Sequence, residues 1–153
     1  MRDAERALVY SAEDRWSLLL DNGGTLDLFG SRLDLPVQKR FGSLEAMQTY
    51  VDAVLSMPGI DGAPVHVRER AGQRRAHYEP AGAVIAIPME ERWAAREAVV
   101  LHELAHHCAC VDNGELGHGP DYRRWMLMLV ERVLGPQATL VLRVGYEDAG
   151  LPV

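Results

Sequence analysis

The chain is expected to fold as an α+β domain in which a small, mostly antiparallel sheet packs against one motif-bearing helix, with further helices covering the other sides. Three observations predict this class. Long segments at both ends carry apolar residues at helical spacing, short runs of strand character lie between them, and Gly- or Pro-containing turns separate the segments. At 153 residues the chain is read as a single domain, 1–153, able to bury roughly 70% of its unfolded surface in one core.

Residues 3 to 20 place Leu8, Ala12, Trp16 and Leu19/Leu20 at helical intervals, and Asn22-Gly23-Gly24 ends that pattern. Residues 25 to 29 and 32 to 35 alternate with period two around Gly30-Ser31, which predicts a hairpin with a two-residue turn. In that register Leu26, Leu28, Leu33 and Leu35 share the buried face. Asp27 and Asp34 then oppose each other on the other face, a like-charge pair that needs solvent, an arginine or a cation. Ser43 caps a second helix carrying Leu44, Met47, Val51, Val54 and Leu55, which stops at Pro58-Gly59.

Three short strands follow, 64 to 68, 75 to 79 and 83 to 87, with turns at Ala71-Gly72-Gln73 and Pro80-Ala81-Gly82. Arg68, Arg70, Arg74 and Arg75 cluster at one hairpin end, either as a solvated tip or as a local contact for an acidic substrate or phosphate backbone. His66 and His77 fall on these strands as ordinary strand residues. Pro88 closes the last strand, and Met89 to Val111 is expected to form one long helix with Glu90 and Glu91 in its first turn, where the helix dipole favours acids. Trp93, Val99, Val100, Leu104 and Cys108 give it an apolar stripe. Pro120 opens a further helix that continues to Gly135-Pro136. Residues 137 to 149 read as strand at Leu140-Val141-Leu142 and as helix from the Arg143/Glu147 pair, with helix preferred.

Composition narrows the function. Hydrophobic content of 48% and charged content of 25% are those of an ordinary globular protein, and the net charge of −6 gives the chain no broad attraction to DNA or anionic lipid. Only Lys39 among the basic residues is lysine, a bias that suggests a GC-rich bacterial genome. The N-terminal Met1-Arg2-Asp3-Ala4-Glu5-Arg6 mixes charges without a following apolar run, so a signal peptide and a membrane span are not expected and a cytoplasmic location is. Cys108 and Cys110, the two cysteines, diverge by about 160° on a helix and are expected to be reduced.

The chemistry lies in His102-Glu103-Leu104-Ala105-His106. On a helix the two histidines are one turn apart and about 40° apart around the axis, so both imidazoles can reach one metal ion. Glu103 points roughly 100° from His102, which brings its carboxylate toward a water at the metal without making it a ligand. A catalytic zinc needs a third protein ligand and one open position, and His118, in Gly117-His118-Gly119-Pro120-Asp121-Tyr122, is the candidate. His107 points about 140° from His102 and is not expected to bind the metal. Cys110, one turn after His106, is a conceivable thiolate ligand but more simply a small buried residue. Tyr122, Tyr78 and His77 are candidates for stabilising an oxyanion, each with a plain structural alternative.

The runs Ile85-Ala86-Ile87-Pro88, Glu97 to His106 and His118-Gly119-Pro120-Asp121-Tyr122 together resemble the zincin core of SprT-like metalloproteases, over about residues 64 to 134. Small actinobacterial metallohydrolases with the same His-Glu-x-x-His and His-Gly-Pro-x-Tyr pairing resemble the chain more closely still. The resemblance implies a zincin-like domain, Zn²⁺ held by His102, His106 and His118, and Glu103 as the catalytic base. A zinc-dependent metallohydrolase acting on a peptide or protein substrate is therefore expected. SprT-like proteins often add a four-cysteine ribbon or DNA-binding elements, and neither the two cysteines nor the acidic charge supplies these. Nucleic-acid binding is expected to be weak or absent and membrane binding absent. The alternatives are a non-catalytic zinc-stabilised interaction module, which would need Cys110 or Asp121 to close the metal shell, and a SprT-type DNA-linked protease.

Overall fold

The computed structural model describes residues 3–153, so Met1 and Arg2 of the charged N-terminal run Met1 to Arg6 lie outside the described residues. The fold is α+β, with five helices and two small sheets among the described residues. Contacts group them into two compact units, residues 3–38 with Gly117–Val153, and Lys39–Leu116. Among the described residues no helix is long and apolar enough to cross a membrane.

The first unit contains α1 (Arg6–Asn22), the hairpin β1 (Gly24–Leu28) and β2 (Ser31–Leu35), and two later helices named α4 (Pro120–Leu134) and α5 (Pro136–Asp148) in chain order. Helix α1 buries Val9, Ala12, Trp16 and Leu20, spaced three and four apart along one face. Leu8 and Leu19, expected on that face, are exposed, because Val9 and Leu20 form the buried stripe instead. Trp16 Nε1 donates to the Ala138 carbonyl at 2.9 Å, satisfying a buried indole and tying α1 to α5. Pro120 occupies the first turn of α4, and residues 136–148 are helical throughout, as the Arg143/Glu147 spacing suggested.

The hairpin corrects the expected register. Its two-residue turn is Phe29-Gly30, both at positive φ (50° and 82°), one position earlier than Gly30-Ser31. Moving the turn by one residue shifts the pairing by two. Asp27 therefore faces Arg32 and Asp34 faces Thr25, which removes the like-charge pair. A two-residue shift preserves the faces, so Leu26, Leu28, Leu33 and Leu35 still share a side, with Leu33 and Leu35 buried.

The second unit contains α2 (Leu44–Leu55), β3 (His66–Glu69), β4 (His77–Glu79), β5 (Val84–Ile87) and α3 (Glu97–Asn113). Ser43 caps α2, its Oγ accepting from the Ala46 amide at 3.1 Å, an arrangement worth about 1 kcal/mol. The three strands form a sheet in the order β3-β5-β4, with β3 parallel and β4 antiparallel to β5. The sheet is thus mixed, and β3 and β4 are not hairpin partners; the central place goes to Val84–Ile87, whose side chains are the most deeply buried of the three strands. Gln48 of α2 covers the outer edge of β3, accepting from the Val67 amide at 2.7 Å and donating to the Val65 carbonyl at 2.9 Å.

The motif helix begins at Glu97, eight residues later than the expected Met89. Residues 88–96 instead make successive tight turns, with Glu91 N bonded to Pro88 O and Ala94 N to Glu91 O. Arg96 is extended and bridges Arg40. The boundary is fixed by Glu97 itself, whose fully buried carboxylate accepts from the Lys39 amide at 2.9 Å and the Tyr50 hydroxyl at 2.5 Å. Glu97, and not Glu90 or Glu91, is the acid of the first turn.

Phe29 is 85% exposed and held at positive φ, so its side chain gains little packing while its backbone is strained. The substitution Phe29→Asn is expected to stabilise the protein by about 1 kcal/mol. Urea unfolding checks this through a higher transition midpoint at unchanged slope.

Candidate metal centre

Helix α3 is buried around most of its circumference, including His102, Glu103, His106 and His107. A helix buried this way is normally apolar, so each ionisable group on it requires a specific partner. His102 and His106 sit one turn apart, with ring centroids 4.9 Å apart and planes at 74°. Glu103, one residue after His102, is 3% exposed.

His118 is placed differently, in the turn before α4, and is also buried. Its Nδ1 lies 2.6 Å from Asp3 Oδ2. A carboxylate only accepts, so Nδ1 carries the proton and Nε2 is the ring nitrogen that can present a lone pair to a metal. The imidazole packs against the rings of Tyr10 and Tyr122 at centroid distances of 5.2 and 5.1 Å. Its backbone carbonyl accepts from Arg123 Nη1 at 2.8 Å. Burial raises the Asp3 carboxyl, but its hydrogen bond and charge interaction with His118 outweigh that effect and hold it below the usual carboxylate value.

His102, His106 and His118 each offer one ligand nitrogen, and these atoms all lie within 4.8 Å of one another. Among the described residues this is the group of ligating side chains close enough to hold a metal ion; Cys110 and Asp121 are not in it. Three imidazoles, one already carrying its proton on the far nitrogen, form a donor set that suits zinc. Asp121 is paired with Arg124 at 2.8 Å.

His107 is set apart by its bonds. Its Nε2 lies 2.7 Å from the Ala63 carbonyl and its Nδ1 2.9 Å from the Tyr78 hydroxyl. The carbonyl must accept, so Nε2 carries the proton and Nδ1 accepts from Tyr78, leaving no nitrogen for a metal. Burial, with Cys110 and Cys108 nearby, pushes the Tyr78 hydroxyl up to about 12, which keeps it protonated as a donor. Both cysteines are free, and burial beside Asp112 pushes the Cys108 thiol up to about 12, consistent with an inert packing residue.

The oxyanion candidates all have other partners. Tyr122 donates to Glu13 Oε2 at 2.7 Å, Tyr78 to His107, and His77 Nε2 lies 2.8 Å from Glu79 Oε1. The arginine cluster is also bound internally: Arg68 pairs with Glu79, Arg70 bonds the Arg75 carbonyl, and Arg75 lies over the Trp93 ring. The partners of His118 were not legible in the sequence. Asp3 lies 115 residues away and Glu5 reaches Arg123 across 118, separations at which no local pattern exists.

The profile of the SprT-like family matches residues 65–140, a stretch that contains all three histidines and Glu103. No curated protein and no solved structure matches the chain.

Replacing His107 with alanine removes two buried hydrogen bonds and leaves a cavity, so a loss of about 2–4 kcal/mol is expected. The variant should nevertheless retain the same zinc content as the parent protein. Urea unfolding paired with metal analysis checks this; loss of zinc at unchanged stability would make His107 a ligand.

Proposed function

We propose, from the premise that the chain carries a SprT-like domain over residues 65–140, that it is a zinc-dependent metallohydrolase and specifically a metallopeptidase. In this reading His102, His106 and His118 hold the metal, Glu103 is the general base, and the chain acts as one cytoplasmic domain on a peptide or protein substrate. The observation that carries it is the convergence of three buried imidazole nitrogens within 4.8 Å, with a buried carboxylate next to the first. A stability site has no need of Glu103 and is usually closed by a fourth protein ligand.

Zinc bound by these histidines would supply a Lewis acid for the scissile carbonyl and lower the pKa of water bound to it. Glu103 then accepts a proton from the attacking water and passes it to the leaving amine, the two halves of general acid–base catalysis. Its low exposure keeps bulk water from competing for the carboxylate. Asp3 holds the proton on Nδ1 of His118, which leaves Nε2 as the nitrogen that would donate to the metal.

Glu103→Gln preserves size but cannot accept the proton. It is expected to lower hydrolysis of a peptide library by roughly 10²-fold or more while zinc content and thermal stability stay unchanged. His102→Ala should lose zinc and activity together. Full activity in Glu103→Gln would remove the base from this mechanism.

Nucleic acid has little part in this reading. The net charge is −6, and Arg68, Arg70 and Arg75 already have internal partners. DNA binding is expected to be weak, with a log–log salt slope of about −3 to −4 at most if all four arginines of the cluster meet phosphates. Filter binding across a salt series, with peptide cleavage assayed with and without DNA, checks this. Tight binding at physiological salt with DNA-dependent cleavage would favour a DNA-linked protease instead.

A further inference from the structure

Asp3 and Tyr10, which touch the His118 ring, and Glu5 and Glu13, which hold its neighbours Arg123 and Tyr122, lie outside the stretch matched by the SprT-like profile. Asp3 bonds its Nδ1 at 2.6 Å, and Tyr10 of α1 packs on its ring. Tyr122, whose ring also packs on that of His118, is held by the buried Glu13 of α1, which also accepts from Tyr146 at 2.6 Å. Arg123, with none of its surface exposed, bonds the His118 carbonyl at 2.8 Å and Glu5 Oε2 at 2.7 Å. Thus ring tautomer, ring orientation and backbone position are each governed by the segment from Asp3 to Glu13.

We propose that this N-terminal segment is a built-in positioning device for the third histidine, with Asp3 as its principal positioning residue. The inference rests on His118 being a metal ligand, as proposed above. A charge-assisted bond to Nδ1–H fixes which nitrogen is free and makes that nitrogen a better donor. Packing against two tyrosine rings restricts the imidazole's rotation, so little ordering is left for a bound metal to impose. Asp3 itself touches no metal and acts only through His118.

The test is zinc affinity of the full chain, by competition with a chromophoric chelator, for the parent protein, Asp3→Ala, Asp3→Asn and His118→Ala. Thermal melts of the zinc-free proteins run alongside. Asp3→Ala is expected to weaken zinc binding by about 10- to 100-fold, the usual effect of removing such a partner. Asp3→Asn should recover part of that loss, because its amide oxygen still accepts from Nδ1–H without the charge. Since the Asp3 side chain is partly exposed, both zinc-free melts should stay within a few degrees of the parent.

Parent-like affinity in Asp3→Ala, with affinity lost in His118→Ala, would overturn the positioning role and leave the ligand assignment standing. Equal losses in both Asp3 variants, matched by lower melting of the zinc-free proteins, would reduce Asp3 to a structural contact and also overturn it. Parent-like affinity in His118→Ala would remove the ligand assignment and this inference with it.

Discussion

Burial of ionisable side chains is the constraint on which this structure depends. Glu97, His102, Glu103, His106 and His107 all lie buried on one helix, and His118 is buried in the turn that follows it. Each such group costs several kcal/mol unless it is paired. Glu97 meets Lys39 and Tyr50; His107 meets Ala63 and Tyr78. These bonds fix where α3 starts and how it lies on β4. Metal ligation is the further form of pairing that three convergent imidazoles offer.

The same constraint accounts for part of the acidic composition. Asp3, Glu5, Glu13 and Glu97 accept hydrogen bonds from His118, Arg123, Tyr122 with Tyr146, and Tyr50. They are structural acids, and a net charge of −6 therefore overstates how acidic the solvent-facing surface is. Formal charge still argues against broad attraction to nucleic acid, but part of it is directed inward. Burial and the neighbouring Glu13 push the Tyr146 hydroxyl well above its ordinary value, so that buried pair keeps its proton on the tyrosine.

Much of this was legible in the sequence because the relevant signals are local. Ser43 as a cap, Pro120 in a first turn and the leucine alternation of the hairpin each act within a few residues. The pair His102 and His106 is fixed by helical geometry alone, and His118 was reached by asking what a third ligand requires. The structure departs from the sequence pattern at three places. Glu90 and Glu91 suit a helix dipole and point to a start at Met89, whereas the Lys39 and Tyr50 bonds to Glu97 set it eight residues later. Hairpin register turned on whether Phe29 would accept positive φ, which residue preference argues against. The parallel pairing of β3 with β5 is a long-range choice that alternating patterns do not encode. The supports of His118 were invisible for the same reason, being contacts across more than a hundred residues.

The central claim is a metal held by three histidine nitrogens with one position left open. X-ray absorption spectroscopy of the zinc-loaded full chain measures this directly, since it counts nearest neighbours and separates nitrogen or oxygen from sulfur. The expected shell is three imidazole nitrogens and one further light atom at about 2.0–2.1 Å, with imidazole outer-shell scattering for three rings. A sulfur neighbour at about 2.3 Å, or outer-shell scattering for only two imidazoles, would contradict it.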